Sequence, residues 1–341
     1  MKTAKWNGNT SIGDETLIDM YKWMVRGRIF DERALKYQRQ GKIGTYAPLA
    51  GQEAAQVGSA MALTSEDWMF PSYREEAACM VRGVSMENFF RYTMGHLEGG
   101  NLKGSNVFPI QIIIGAQSLH AVGSAFADQY KNRDGISVAY VGDGATSEGD
   151  FHEALNFAGV FNLPVIFFVQ NNQWAISMPF HKKTNSRSIA QKALAYGITG
   201  IQVDGNDAPA VYETMKEART KAIEGTPVLI EAVTYRKGPH TTADDPTKYR
   251  QAEEGREWEN KDPLRRMRNM LIDKNIWNET KEKSLRAELE DEVTKNLQKA
   301  AQHKPSTLED ALECVYDQPT KRLKEQIDEV TGKRREQTWQ F

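Results

Sequence analysis

Asp143 and Asn172 stand 29 residues apart, each just past the end of an apolar, strand-like run. The first run, Ile136 to Val141 (ISVAYV), stops at Gly142-Asp143-Gly144, and the second, Val165 to Val169 (VIFFV), stops at Gln170-Asn171-Asn172. One βαβ unit of that length places both side chains at the same edge of a sheet, on neighbouring strands. A carboxylate and an amide oxygen are hard ligands, suited to Mg²⁺ or Ca²⁺ rather than to zinc or copper. Mg²⁺ commonly completes its octahedron with phosphate oxygens and water. Gly142 and Gly144 let the backbone approach a phosphate closely, and a helix beginning near Ser147 would aim its first N–H groups at it.

Other phosphate and metal motifs fail on their own residues. A dinucleotide fingerprint needs a third glycine three positions after Gly144, but that position is Ser147, and Ile166 stands where a ribose-binding acid is expected. The run Gly99 to Ser105 contains a second glycine but no P-loop lysine after it, and His152-Glu153 has no partner histidine four residues on. Five of the six histidines, His96, His120, His152, His181 and His303, show no ligand spacing and read as structural.

The elements that must position the pair follow from periodicity. Between the two strand-like runs, Phe151, Ala154, Leu155 and Ala158 mark one helix face, closed by Asn162 and Pro164. A third short strand, Ile201 to Val203, meets Asp204-Gly205; a helix spans about Ala210 to Ile223; a fourth strand runs Val228 to Tyr235 (VLIEAVTY). Near-continuously apolar strands alternating with helices imply a mainly parallel sheet with helices on both faces, an α/β fold. Ligands bind such sheets at the carboxyl ends of strands. Upstream, Leu17, Met20, Tyr21 and Met24 form one face of a helix with Asp14 as its N-cap, and Gly41 to Gly51 reads as a loop entering a helix from Gln52 to Leu63. Beyond Glu257, Asp262-Pro263 is an N-cap followed by proline at the first helical position, and a charged helical pattern continues, interrupted at Lys304-Pro305 and Gln318-Pro319. This reads as a helical appendage for packing against another subunit, with a solvated tail as the alternative.

Composition bounds the rest. At about 150 residues per domain, 341 residues allow two domains or one elaborated α/β domain. A net charge of −2 favours neither nucleic acid nor membrane, and no apolar run approaches the roughly 20 residues of a spanning helix. Two cysteines, Cys79 and Cys314, make no disulfide framework, and the polar N-terminus has no signal- or transit-peptide pattern, so the expected compartment is the cytoplasm.

The stretch GDGATSEGDFHEALNFAGVFNLPVIFFVQNN (142–172) is the thiamine diphosphate motif and resembles the α subunit of the E1 component of 2-oxo acid dehydrogenase complexes. YAPLAGQEAAQVG (46–58), PSYREE (71–76), PIQIIIGAQ (109–117) and RKGPHTTADDPTKYR (236–250) are similar to that family too, in family order. The wording around Tyr46-Ala47-Pro48 looks most like the bacterial pyruvate dehydrogenase α subunits. The resemblance implies a thiamine diphosphate-binding α/β domain over 41–256, flanked by helical extensions over 1–40 and 257–341. It implies Mg²⁺ on Asp143, Asn172 and the carbonyl of Trp174, and a diphosphate on the amides of Gly144 and Ala145. Tyr73, Arg74 and Arg236 match the family's diphosphate-binding tyrosine and arginines; the backbone around Ile112 and Ile114 would face the aminopyrimidine.

By the same resemblance His240 is the catalytic histidine, assisting acyl transfer to a lipoyl disulfide. Its loop, Lys237 to about Gly255, shows no regular pattern, and loops of that length tend to be functional or disordered. Thr241 takes the position at which mitochondrial relatives are phosphorylated. The implied activity is oxidative decarboxylation of pyruvate with reductive acetylation of the lipoyl group of an E2 acyltransferase. A branched-chain 2-oxo acid dehydrogenase or acetoin-cleaving α subunit has the same cofactor chemistry; a non-catalytic partner-binding subunit is the reading of another class. One departure bears on substrate: Thr45 stands where the bacterial pyruvate-type relatives often carry an aromatic. The family's activating glutamate lies on a β subunit, and no room remains here for a pyrimidine-binding domain. The chain is therefore expected to be half a catalyst, working as α2β2.

Overall fold

A computed structural model describes residues 2–4, 12–100, 102, 104–110, 112–304 and 306–332. Pro305 and Gln111, both noted in the sequence, lie outside the described residues, as do 5–11 and 333–341.

The sheet strands are β1 (Lys2–Ala4), β2 (Trp68–Phe70), β3 (Ser137–Gly142), β4 (Val165–Asn171), β7 (Thr199–Asp204) and β8 (Val228–Val233); a two-stranded hairpin, β5 (Trp174–Ala175) and β6 (Met178–Pro179), intervenes. All six sheet strands run parallel, in the order β1-β7-β8-β4-β3-β2. Strand residues alternate between two apolar clusters. Val138, Tyr140, Ile166, Phe168 and Ile230 face one, while Ala139, Val141, Val165, Phe167 and Leu229 face the other. Both faces are covered, which is why the strands read as unbroken apolar runs.

The helices are α1 (Asp14–Arg39), α2 (Glu53–Met61), α3 (Glu76–Val81), α4 (Met86–Thr93), α5 (Ala116–Tyr130), α6 (Gly149–Phe161), α7 (Ala208–Ile223), α8 (Ala252–Glu259), α9 (Pro263–Asp273), α10 (Glu279–Ala301), α11 (Leu308–Glu313) and α12 (Lys321–Val330). The crossover from β3 to β4 uses α6, on the second face; that from β7 back to β8 uses α7, on the first. Right-handed crossovers running in opposite directions must place their helices on opposite faces. The order therefore reverses between β4 and β8, and a crevice opens at their carboxyl ends.

Several sequence expectations need correcting. Gly13, not Asp14, caps α1, and it offers no side-chain acceptor. Asp143 to Ser147 form a 3₁₀ turn, so α6 begins at Gly149, two residues later than expected. The loop after β8 is not without structure, because it holds a 3₁₀ turn at Pro246–Lys248 and then α8. The short strand β2 escaped notice because three residues show no periodicity. Of the C-terminal helices, read as an appendage for packing against another subunit or as a solvated tail, α9 and α10 pack into this chain's own core, while α11 buries no residue. Met267, Leu271, Leu289, Val293 and Leu297 join Met20, Tyr21 and Met24 in one cluster with the sheet. Asp262 does cap α9 as expected, accepting from the amides of Leu264 and Arg265.

Candidate active site

The crevice at the strand ends leads into a cavity of about 550 Å³. Tyr73, Arg74, Ile112, Ile114, Asp143, Gly144, Ala145, Asn172, Trp174, Arg236 and His240 all line it. Each arrives by a separate route: Tyr73 and Arg74 follow β2, Asp143 to Ala145 follow β3, Asn172 follows β4, and Arg236 and His240 follow β8. Parallel strands deliver their carboxyl ends to one edge, so residues far apart in the chain converge without long loops.

Asp143 opens the 3₁₀ turn and is buried. Around that turn the Lys192 ammonium donates to the carbonyl of Thr146 at 3.1 Å, while His152 lies 3.2 Å from that carbonyl and 2.6 Å from the Tyr196 hydroxyl. Burial, with Lys192 nearby, holds His152 below its ordinary range and so neutral near pH 7. His152 is thus structural, as expected. A Cβ on Gly144 would sit 2.9 Å from the Cβ of Ala175, so only glycine lets the β5–β6 hairpin lie over the turn. That hairpin is strained: Gln173 (φ 75°) and Ile176 (φ 54°) are left-handed, and Ile is β-branched.

Arg236 braces the hairpin. Fully buried, it donates to the carbonyls of Trp174 at 3.1 Å and Ile176 at 2.7 Å and to the Tyr249 hydroxyl at 3.1 Å. Only its Nε remains without a partner. Arg74 donates to the carbonyls of Pro48 and His240, the latter at 2.9 Å, and its guanidinium lies 3.3 Å from His240 Nδ1. Since a guanidinium cannot accept, Nδ1 must be the acceptor and Nε2 carries the proton. Burial, then Arg74 and Arg236, push the imidazole down to about 4. Asp244 counters this and anchors the loop, accepting from the amide of His240 at 2.7 Å and from the Tyr249 hydroxyl.

Sequence reasoning missed four features. The Lys183 ammonium pairs with the Asp143 carboxylate; nothing in the sequence ties residues 40 apart across a hairpin. Gln52, entirely buried ahead of α2, accepts from the Asn172 amide at 3.2 Å and leaves its own Nε2 unpartnered. Three carboxyls are buried at the site, Glu75 and Glu76 in the cavity lining and Asp31 behind it: Asp31 is raised to about 6, Glu75 to about 7, and Glu76 well above its ordinary value, all chiefly by burial. Asp31 Oδ1 accepts from the Tyr46 hydroxyl and the Leu49 amide, both at 2.7 Å. Fourth, the cavity has an apolar lobe, lined by Phe30, Ala34, Ile43, Phe89, Phe90 and Ile110, with Thr45 at its wall.

The donor set fits a metal-held diphosphate. The Gln52 amide and the Arg236 Nε are buried donors without acceptors, a costly state that an anion in the cavity relieves. Asp143 and Asn172 supply hard oxygens on adjacent strands, although Lys183 must leave Asp143 before a cation can reach it. The fold and site together define an α/β protein with a cavity at the switch point of a parallel sheet, lined by groups that suit a phosphate-bearing ligand.

The family model described as "Dehydrogenase E1 component" matches residues 21–309. The pyruvate dehydrogenase E1 component subunit alpha of Staphylococcus aureus is 44% identical over 318 residues, 92% of this chain and 86% of that one. The 3-methyl-2-oxobutanoate dehydrogenase subunit alpha of Mycobacterium tuberculosis is 47% identical over 319 residues, 93% of this chain and 83% of its own length. The chain belongs to the dehydrogenase E1 component family, as an α subunit of a 2-oxo acid dehydrogenase.

Proposed function

We propose that this chain is the α subunit of a cytoplasmic pyruvate dehydrogenase E1 component, dependent on thiamine diphosphate and Mg²⁺, whose apolar lobe also admits larger 2-oxo acids. The observation that carries this reading is the single cavity in which a hard-oxygen pair, buried unpartnered donors and an apolar lobe meet. Overall, pyruvate and an oxidised lipoyl group yield carbon dioxide and S-acetyl-dihydrolipoyl on an E2 acyltransferase. Bound thiamine diphosphate would act as the electron sink for decarboxylation.

Asp143, Asn172 and the Trp174 carbonyl would hold the metal, and the amides of Gly144 and Ala145, with Arg74, Arg236 and Tyr73, would hold the diphosphate. Ile112 and Ile114 sit at the cavity mouth, the first largely exposed, where the ring system would lie. His240, neutral with its proton on Nε2, can donate that proton to a developing anion and take it back. A nearby diphosphate would raise its pKa from about 4 toward the working range. A β subunit completes the site. An exposed aromatic cluster on α5 and α6 (Phe126, Phe157 and Phe161, ring centres 4.5–6.0 Å apart) supplies an apolar face for it.

The branched-chain reading is favoured by two observations: Thr45 and several apolar side chains line the same cavity, and one relative is named for 3-methyl-2-oxobutanoate. Steady-state comparison of pyruvate with 3-methyl-2-oxobutanoate on the reconstituted α/β enzyme decides between them. The pyruvate reading requires the higher kcat/KM on pyruvate; a preference for the branched acid overturns it. Filling the lobe with Thr45→Phe should cost the branched acid about 10- to 200-fold in kcat/KM, the range that one methylene is worth, and pyruvate little.

A further inference from the structure

Away from the cavity, the fold joins two histidines and a carboxylate that lie far apart in sequence. His96 follows α4, Glu98 lies in the 3₁₀ turn Leu97–Gly100, and His303 lies two residues past the end of the long helix α10. One ligand atom from each lies within 4.8 Å of the other two. His303 Nε2 is 3.3 Å from Glu98 Oε2, and the two imidazoles meet edge to face at 5.1 Å between centres. Backbone bonds fix all three positions: the amide of His96 donates to the carbonyl of Arg91, that of Gly99 to His96, and that of His303 to Ala300. Both histidines are half-buried, so part of their desolvation is already met. The Ser306 hydroxyl donates to Glu98 Oε2 at 3.0 Å, the outer contact that orients a carboxylate ligand.

We propose that His96, Glu98 and His303 form a three-ligand site for Zn²⁺, with water in the fourth position, that links the segment after α4 to the segment after α10. Two imidazoles and one carboxylate are a borderline-soft set that suits zinc and disfavours Mg²⁺. In a tetrahedral zinc site with bonds near 2.0–2.2 Å, ligand atoms stand roughly 3.4 Å apart. One pair is already at that separation, and small side-chain rotations bring in the third. The site has a structural consequence for the cavity: Phe89, Phe90, Tyr92 and Thr93 of α4 form its wall, immediately before His96. Zinc would tie that wall to the C-terminal helices through residues that do not themselves line the cavity.

The full chain, in excess Mg²⁺ to fill hard-oxygen sites, is equilibrated with micromolar Zn²⁺, passed through a desalting column and assayed for zinc per chain. The wild type should retain one zinc more than His303→Ala or His96→Ala. Ser306→Ala, which keeps all three ligands, should weaken zinc binding by about 10- to 100-fold. Added zinc should raise the melting temperature of the wild type but not of the ligand variants. Glu98→Gln, a near-isosteric change at an exposed side chain, serves if a histidine variant fails to fold. Equal zinc in wild type and variants, or none in the wild type, overturns the proposal.

Discussion

Asp143 is where the residue-level chemistry of this chain is most exposed to test. Its carboxylate is buried against the Lys183 ammonium, and a divalent cation must displace that ammonium. Asp143→Ala should abolish Mg²⁺-dependent thiamine diphosphate binding in calorimetry. Lys183→Met should tighten Mg²⁺ binding by about tenfold, some 1.4 kcal/mol, because a competitor is removed. It should also lower the melting temperature of the metal-free chain, which is left with a buried unpaired carboxylate. His240 makes the pH prediction. Its pKa is near 4 in the folded chain and about 6.5 unfolded, so between those values the unfolded chain binds more protons. From this group stability is fully present above pH 6.5 and is lost as pH falls toward 4. The cofactor-free His240→Asn variant should lose less stability than wild type over that window in denaturant titrations; an unchanged slope would show that the imidazole is not depressed. The strand-end pair Asp143 and Asn172 was readable because the fold positions it by rule. Lys183, Gln52 and the buried acids were not, because their partners are set by packing between distant segments.

At the scale of elements, the site rests on close backbone approaches. Gly51 has φ +99°, and a Cβ there would come 2.1 Å from the carbonyl of Tyr235. Gly51→Ala should cost about 3 kcal/mol or more in chemical denaturation, from strain and overpacking together, and should displace Gln52 from the site. The helix α10 supplies a second test. Leu289 is buried in the cluster shared with α1, so Leu289→Ala should cost about 2–5 kcal/mol. A loss below 0.5 kcal/mol would mean that α10 is held only loosely. The long strands and helices were readable from periodicity, to within two or three residues. The role of α9 and α10 was not, since a charged amphipathic helix shows that it packs but not against what.

For the whole molecule, the feature left unsatisfied is the apolar face of α5 and α6, where Phe126, Phe157, Val160 and Phe161 are each at least 40% exposed. Phe157→Asp should block assembly with the β subunit in light scattering after gel filtration, while leaving the melting temperature of the isolated chain within about 1 °C, as surface substitutions do. Retained assembly would place the partner elsewhere. No described helix is long and apolar enough to cross a membrane.

The parallel α/β sheet, the strand ends that carry Asp143 and Asn172, and the blocks that resemble one family were all legible in the order of residues along the chain. Those are properties of local order: apolar period, turn residues and fixed spacing along one βαβ unit. Folding in three dimensions is what pairs Lys183 with Asp143, sets Arg236 against a strained hairpin, brings α9 and α10 into the core, and puts His96 beside His303. Each of these joins segments whose separation along the chain says nothing about their distance in space. Burial, which sets the charge of His240 and Glu75, exists only once the chain has closed around them.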